Sequence, residues 1–197
     1  ESSCAEPDVN TTQAAVDDIG VGVSPGDTII VCKGTYNESI VIFLKNIAAT
    51  SENDRIVLRV EVPADAAAAD TDKVIVTPAG LPGSAKEHAF DAKKSDFITI
   101  KGFDLRGAMR SAIILRGGSS QNPNITLDGN DIHDNTGCGN CGAQGIVIGR
   151  VNAGTVVVNN LGRQNGRSGL SIGLNVGSAS DAPIYVVNPV GDIAGLH

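Results

Sequence analysis

The side chains best suited to chemistry fall in one stretch, Asp128-Gly-Asn-Asp131-Ile-His133-Asp134-Asn135, with Lys101, Asp104 and Arg106 a little earlier. Converging carboxylates are what Ca²⁺ requires, since it takes about six to eight oxygen ligands. A bound Ca²⁺ acts as a Lewis acid on an acidic substrate, and a Lys or Arg on the same face can remove a proton. In strand geometry Asp131 and His133 flank the inward Ile132 and share one outward side. Asp104 and Arg106 hold the corresponding places one repeat earlier. Carboxylates stacked at a strand spacing of ~4.8 Å repel each other unless a cation lies between them. Asp104, Asp128, Asp131 and Asp134 are therefore the candidate metal ligands, and Lys101, in register with Asp128, is the candidate base. Arg106, Arg110, Arg116 and Arg150 are candidate clamps for a substrate carboxylate, which guanidinium groups bind bidentately, and His133 is a further candidate contact. The plainer alternatives are an acidic turn facing water and a Lys101–Asp128 cross-strand ion pair worth under about 1 kcal/mol.

The elements that must position these residues repeat along the chain. Ile98-Thr99-Ile100, Ile125-Thr126-Leu127, Val156-Val157-Val158 and Ile184-Tyr185-Val186 start 27, 31 and 28 residues apart. A second set precedes them at Ala89–Ala92, Ala112–Leu115, Gly145–Ile148 and Gly169–Ile172. Each unit thus reads as strand, variable loop, strand and polar turn, with apolar residues alternating at strand period. Units of this length stack as parallel coils and bury their aliphatic side chains on one another. Phe90, Ile113, Ile146 and Leu170 should form one interior ladder, and Ala92, Leu115, Ile148 and Ile172 its neighbour. Earlier strands are expected at Thr28–Val31, Ile40–Ile42, Ile56–Leu58 and Val74–Val76, with Thr11–Ile19 as a short capping helix over the first open end. The pattern is all-β, a parallel β-helix over residues 28–188 in a single domain spanning 1–197.

Composition agrees with that fold. The 197 residues carry a net charge of -7, 41% hydrophobic and 19% charged residues, no Trp, and few aromatics, so the core must be aliphatic. No apolar run approaches the roughly 18 residues of a membrane span. Residues 98–170 hold seven basic against four acidic side chains in an otherwise acidic chain. That is too small a basic footprint for nucleic acid, and the interleaved aromatics are missing. The four cysteines, Cys4, Cys32, Cys138 and Cys141, allow three pairings. A Cys138–Cys141 loop staple, free thiols and a metal or redox site all stay open; Cys4 with Cys32 would pin the N-terminal segment to an early strand. Cysteine usage points to an extracellular or periplasmic compartment.

Gln13-Ala14-Ala15-Val16, Pro25-Gly26-Asp27-Thr28-Ile29-Ile30-Val31 and Gly34-Thr35-Tyr36 together resemble the N-terminal signature of right-handed parallel β-helix proteins of the pectate-lyase-like superfamily. Ile98-Thr99-Ile100-Lys101-Gly102-Phe103 and Ile132-His133-Asp134-Asn135 resemble repeat motifs of its polysaccharide lyase branch. The resemblance implies a secreted protein acting on an acidic, uronate-containing polysaccharide, by β-elimination with Ca²⁺. It equally admits a non-catalytic structural or glycan-binding module. The Gly-His-Gly and Arg-Ile-Lys motifs of the polygalacturonase branch and the Asp-Pro-His-Glu signature of the alginate epimerases are absent. Because no C-terminal cap is evident after Pro189, a homodimer through that end is a further expectation.

Overall fold

Short runs of alternating Val, Ile and Leu set the building unit of the molecule, a three-strand coil. In the computed structural model the chain is described at residue 4 and over residues 9–61, 67–78, 87–116, 124–136, 143–149 and 154–173. Residues 185–187 and 190–191 are also described, but there, as at 172–173, only in their backbone. Helix α1 (Thr12–Asp17) leads into β1 (Thr28–Val31), β2 (Gly34–Tyr36) and β3 (Ile40–Phe43). The second coil holds β4 (Ile56–Val60), β5 (Val74–Val76) and β6 (His88–Lys93), and the third β7 (Ile98–Lys101), β8 (Asp104–Arg106) and β9 (Ser111–Arg116). The fourth comprises β10 (Thr126–Asp128), β11 (Asp131–His133) and β12 (Gln144–Gly149). Then follow β13 (Val156–Val158), β14 (Leu161–Arg163) and β15 (Leu170–Gly173), and finally β16 (Tyr185–Val187) and β17 (Val190–Gly191).

Equivalent strands of successive coils pair in parallel. The first sheet runs β1-β4-β7-β10-β13-β16, the second β2-β5-β8-β11-β14-β17, and the third β3-β6-β9-β12-β15. The architecture is a right-handed parallel β-helix. Both expected ladders are present: Phe90, Ile113, Ile146 and Leu170 pair in sequence, as do Ala92, Leu115, Ile148 and Ile172. Leu58, Ile100 and Leu127 from the first sheet, and Leu105 and Ile132 from the second, meet these ladders in the core. Phe90 and Phe103 pack edge to face there at 5.2 Å.

The repeat differs from the sequence reading in one respect. Each coil has three strands rather than two, because β8, β11 and β14 add a short second-sheet strand. In β8 and β11 a single core residue, Leu105 or Ile132, stands between polar neighbours, too little to register as a hydrophobic alternation. A tight corner at Gly129-Asn130 joins β10 to β11, and Gly129 takes φ +61 there, where glycine is favoured. Buried amides line this corner: Asn130 Nδ2 donates to Ile100 O and to Asn160 Oδ1, and Asn160 Nδ2 to Leu127 O. The side-chain ladder bonds carbonyls at the ends of the first-sheet strands, where the chain turns the corner.

At the N-terminal end α1 packs across β3. Thr11 Oγ1 accepts from Ala14 N–H at 3.0 Å as the N-cap, and Val16 is fully buried. The Glu38 carboxylate accepts from Thr12 and Gln13 N–H. The Gln13 amide bonds both the N–H and the carbonyl of Val41 on the open edge of β3. A disulfide joins Cys4 to Cys32, which fixes that pairing; Cys138 and Cys141 lie outside the described residues.

Candidate functional site

The register brings the predicted chemistry to three sheets rather than one point. On the first sheet, Lys101 and Asp128 are directly opposite, and Lys101 Nζ lies 2.6 Å from Asp128 Oδ2. Asn159 Nδ2 donates to the other oxygen of Asp128 at 3.1 Å. On the second sheet, Asp104 pairs with Asp131 and Arg106 with His133, in the expected register. Arg116 is on the third sheet, and Arg150 lies outside the described residues.

The second-sheet group faces away from the coil core yet is buried, with Asp104, Asp131 and His133 at most 4% exposed. Their nearest donor atoms lie within 4.8 Å of one another. The cations that separate these carboxylates come from the chain itself. Asp104 has Lys73 Nζ at 3.3 Å, His133 Nε2 at 3.1 Å and Arg106 Nε at 3.4 Å. Asp131 holds Arg163 Nη2 at 2.9 Å, and Arg106 also reaches Asp70 at 2.8 Å. His133 Nδ1 lies 2.7 Å from Asp134. Both imidazole nitrogens therefore face carboxylate acceptors, which only a doubly protonated ring satisfies. Its hydrogen bonds to Asp104 and Asp134, opposed by burial, hold His133 above the usual histidine range. Burial pushes Asp104 up, but the bond and charge of His133, with Arg106 and Lys73, bring it below the usual carboxylate range.

This donor set does not fit Ca²⁺. Asp128 is on another sheet, and the oxygens of Asp104, Asp131 and Asp134 already meet nitrogen cations. Two buried oxygens, Asp104 Oδ2 and Asp131 Oδ1, have no hydrogen-bond donor among the described residues, and Lys73 Nζ lies 3.3 Å from the first; two are far short of about six to eight converging oxygens. The expectation of a four-carboxylate calcium site thus gives way to a self-compensated charge network.

A groove of about 480 Å³ opens elsewhere, on the outer face of the third sheet. Its floor is built on three parallel ladders, of which His88, Ser111, Gln144, Ile114, Val147 and Arg116 line it. His88, Ser111 and Gln144 stack in register, then Asp91, Ile114 and Val147, then Lys93, Arg116 and Gly149. Arg110 and Arg116 from the third coil and Arg167 from the fifth converge on it. Arg110 pairs with Glu87 at 3.0 Å. Arg116 Nε lies 3.2 Å from Asp91 Oδ1, whose partner oxygen takes Lys93 Nζ at 3.0 Å. Arg167 is exposed and has no carboxylate partner among the described residues.

Beneath Arg116 lies His88, buried, with Nε2 3.0 Å from Arg116 Nη2. A guanidinium only donates, so Nε2 must carry a lone pair. Nδ1 lies 3.2 Å from the Ser111 carbonyl and 2.7 Å from its hydroxyl. A carbonyl only accepts, so Nδ1 carries the proton. Burial pushes His88 below the usual histidine range, in keeping with a neutral ring. The two buried histidines thus hold opposite charge states for opposite reasons. Of this groove, sequence reading found Arg110 and Arg116 and missed His88, Ser111, Gln144 and Arg167. His88, Ser111 and Gln144 each stand two residues before a member of the Phe90–Ile113–Ile146 ladder, and that offset was the available signal.

No protein-family model and no curated protein matches the chain. Among solved structures it is similar to the crystal structure of pectate lyase Pel9A, with a TM-score of 0.55 at 17% sequence identity. The match covers 98% of this chain and 57% of that one, so the chain spans little more than half the length of that protein. At this identity the likeness shows the fold, and the named activity is that protein's own.

Proposed function

We propose that this right-handed β-helix binds a carboxylated, uronate-containing polysaccharide along the groove of the third sheet, as an extracellular binding module. The observation that carries the reading is the convergence of Arg110, Arg116 and Arg167 over a floor that includes Ile114 and Val147. Guanidinium forks suit sugar carboxylates, and the apolar floor suits the C–H faces of the rings. The pectate lyase named in the structural match acts on a polymer of that class, which agrees with the reading. A disulfide between Cys4 and Cys32 suits an oxidising compartment.

Binding is favoured over elimination because elimination needs a base within reach of the sugar. His88 has both ring nitrogens engaged, Lys93 is paired with Asp91, and Lys101 is on another sheet, paired with Asp128, while the guanidiniums of the groove suit a clamp rather than a base. Titration calorimetry with oligogalacturonate tests the proposal. Affinity should fall with added salt, hold in the presence of chelator, and drop about tenfold in Arg116→Ala, the cost of one charge-assisted hydrogen-bonded contact. Equal affinity for a neutral glucan, or no binding at all, rules the reading out. A rise in ultraviolet absorbance from unsaturated products would replace binding with lyase activity.

A further inference from the structure

We infer that His88 is a positioning residue for Arg116, and that protonating it releases the guanidinium and weakens anion binding in the groove. The inference rests on the proposed function for its ligand but on hydrogen-bond geometry for its mechanism. Arg116 is held at two points, Nε by Asp91 and Nη2 by His88, so that its remaining edge is aimed by the chain before any ligand arrives. Only the neutral ring with hydrogen on Nδ1 can provide the second point. An imidazolium has no lone pair to offer and sets a positive charge against Arg116.

The groups around the ring decide which way the balance tips. On its own strand stand Asp91 and Lys93, which pair with each other, and just before it Glu87; the next coil brings Arg110, Arg116 and Ser111, and later coils bring Gln144 and Arg167. The strand on the other side, β3, has no titratable residue between Ile40 and Phe43. Glu87 is occupied by Arg110. A charged His88 therefore turns to Asp91, the carboxylate that also anchors Arg116, so one proton undermines both points of attachment. The added charge is screened by Asp91 and buried under the groove floor, whereas the lost orientation is felt directly at the ligand. Affinity consequently falls on acidification. The fall lies below the ordinary histidine value of about 6.5.

Two measurements on the intact chain test this. Imidazole nitrogen NMR should find His88 with the proton on Nδ1 at neutral pH, and the Arg116 guanidinium N–H signals should lose protection from exchange as that ring charges. A ring protonated on Nε2, or an Arg116 indifferent to the titration, overturns the inference. This arm needs no ligand, so it decides the matter even where oligogalacturonate fails to bind and the proposed function falls. With binding, affinity at about pH 7.5, where the ring is neutral, should exceed affinity at the pH where the imidazole signals show it charged by about tenfold, the worth of a hydrogen bond to a charged group. His88→Gln offers an amide oxygen that does not titrate, so its ratio should shrink towards one, while His88→Ala should bind more weakly than His88→Gln at neutral pH. Affinity that rises on acidification, or the same pH profile in His88→Gln, counts against it.

Discussion

At the scale of single residues, the charges of the network around Asp104 and Asp131 balance only when His133 carries its proton. Asp70, Asp104, Asp131 and Asp134 face three permanent cations, Lys73, Arg106 and Arg163, and the imidazolium is the fourth. Because the folded state holds His133 above its ordinary value, this contribution is complete below about pH 6.5 and is lost as pH rises through the raised value. Asp104 is held below its ordinary value, so its contribution is present above about pH 4 and lost as pH falls through the lowered value. His88, buried neutral, also loses stability on the acid side, which leaves the alkaline decline to His133. Urea midpoints should therefore decrease from about pH 6 to pH 9. His133→Asn should abolish that slope at a cost of about 1–3 kcal/mol, since it takes one charged hydrogen-bond partner from buried Asp104, which keeps Lys73 and Arg106. A midpoint that is flat over this range contradicts the assignment of an imidazolium. The stacking of Asp104 on Asp131 and of Arg106 on His133 was legible from the repeat. The compensating Lys73 and Arg163 were not: Lys73 stands just before β5, outside the regularly spaced repeats, and Arg163 ends β14, whose Leu161-Gly162-Arg163 carries no hydrophobic alternation.

At the scale of elements, a β-helix must close its first coil, because an open strand edge is a template for association. Here one side chain imitates a neighbouring strand. Gln13, projecting from α1, bonds Val41 through both its oxygen and its nitrogen, and Glu38 in turn accepts two N–H groups from the first turn of α1. The helix and the edge thus satisfy each other's backbone. Removing the amide in Gln13→Ala costs the two hydrogen bonds to Val41 and one to Asp17, about 1–3 kcal/mol in all, and uncovers β3. The variant should melt earlier and show concentration-dependent association by light scattering; a purely monomeric, equally stable variant would show that the clamp is dispensable. The capping helix itself was readable from Thr11 to Ile19 and is observed over Thr12–Asp17, because its apolar residues have helical spacing. The Gln13–Val41 pairing was not readable. It depends on how the helix is laid across β3, which local pattern leaves undetermined.

At the scale of the whole molecule, stacked coils touch only their neighbours, so stability propagates along the axis and a defect at one end need not reach the other. The Cys4–Cys32 disulfide ties the N-terminal segment to the end of β1, in the first coil. The groove starts at His88 in the second coil and runs to Arg167 in the fifth. Between the two lie the β1–β4 and β3–β6 pairings, both continuous over four residues. Replacing both cysteines, Cys4→Ser with Cys32→Ser, reopens a loop of 28 residues' separation, worth about 3–4 kcal/mol in the chain-entropy account. In a molecule that melts as one unit this loss would lower every part together. In a stacked solenoid it should appear first as faster amide exchange in α1, β1 and β2, while β9 and β12 keep their protection and the affinity for oligogalacturonate changes by less than about twofold. Hydrogen exchange on the double variant separates these cases. Uniform loss of protection would mean that the first coil is the keystone of the fold. Loss confined to that coil would mean that the N-terminal staple guards the end of the solenoid and leaves the arginine groove to be governed by its own coils.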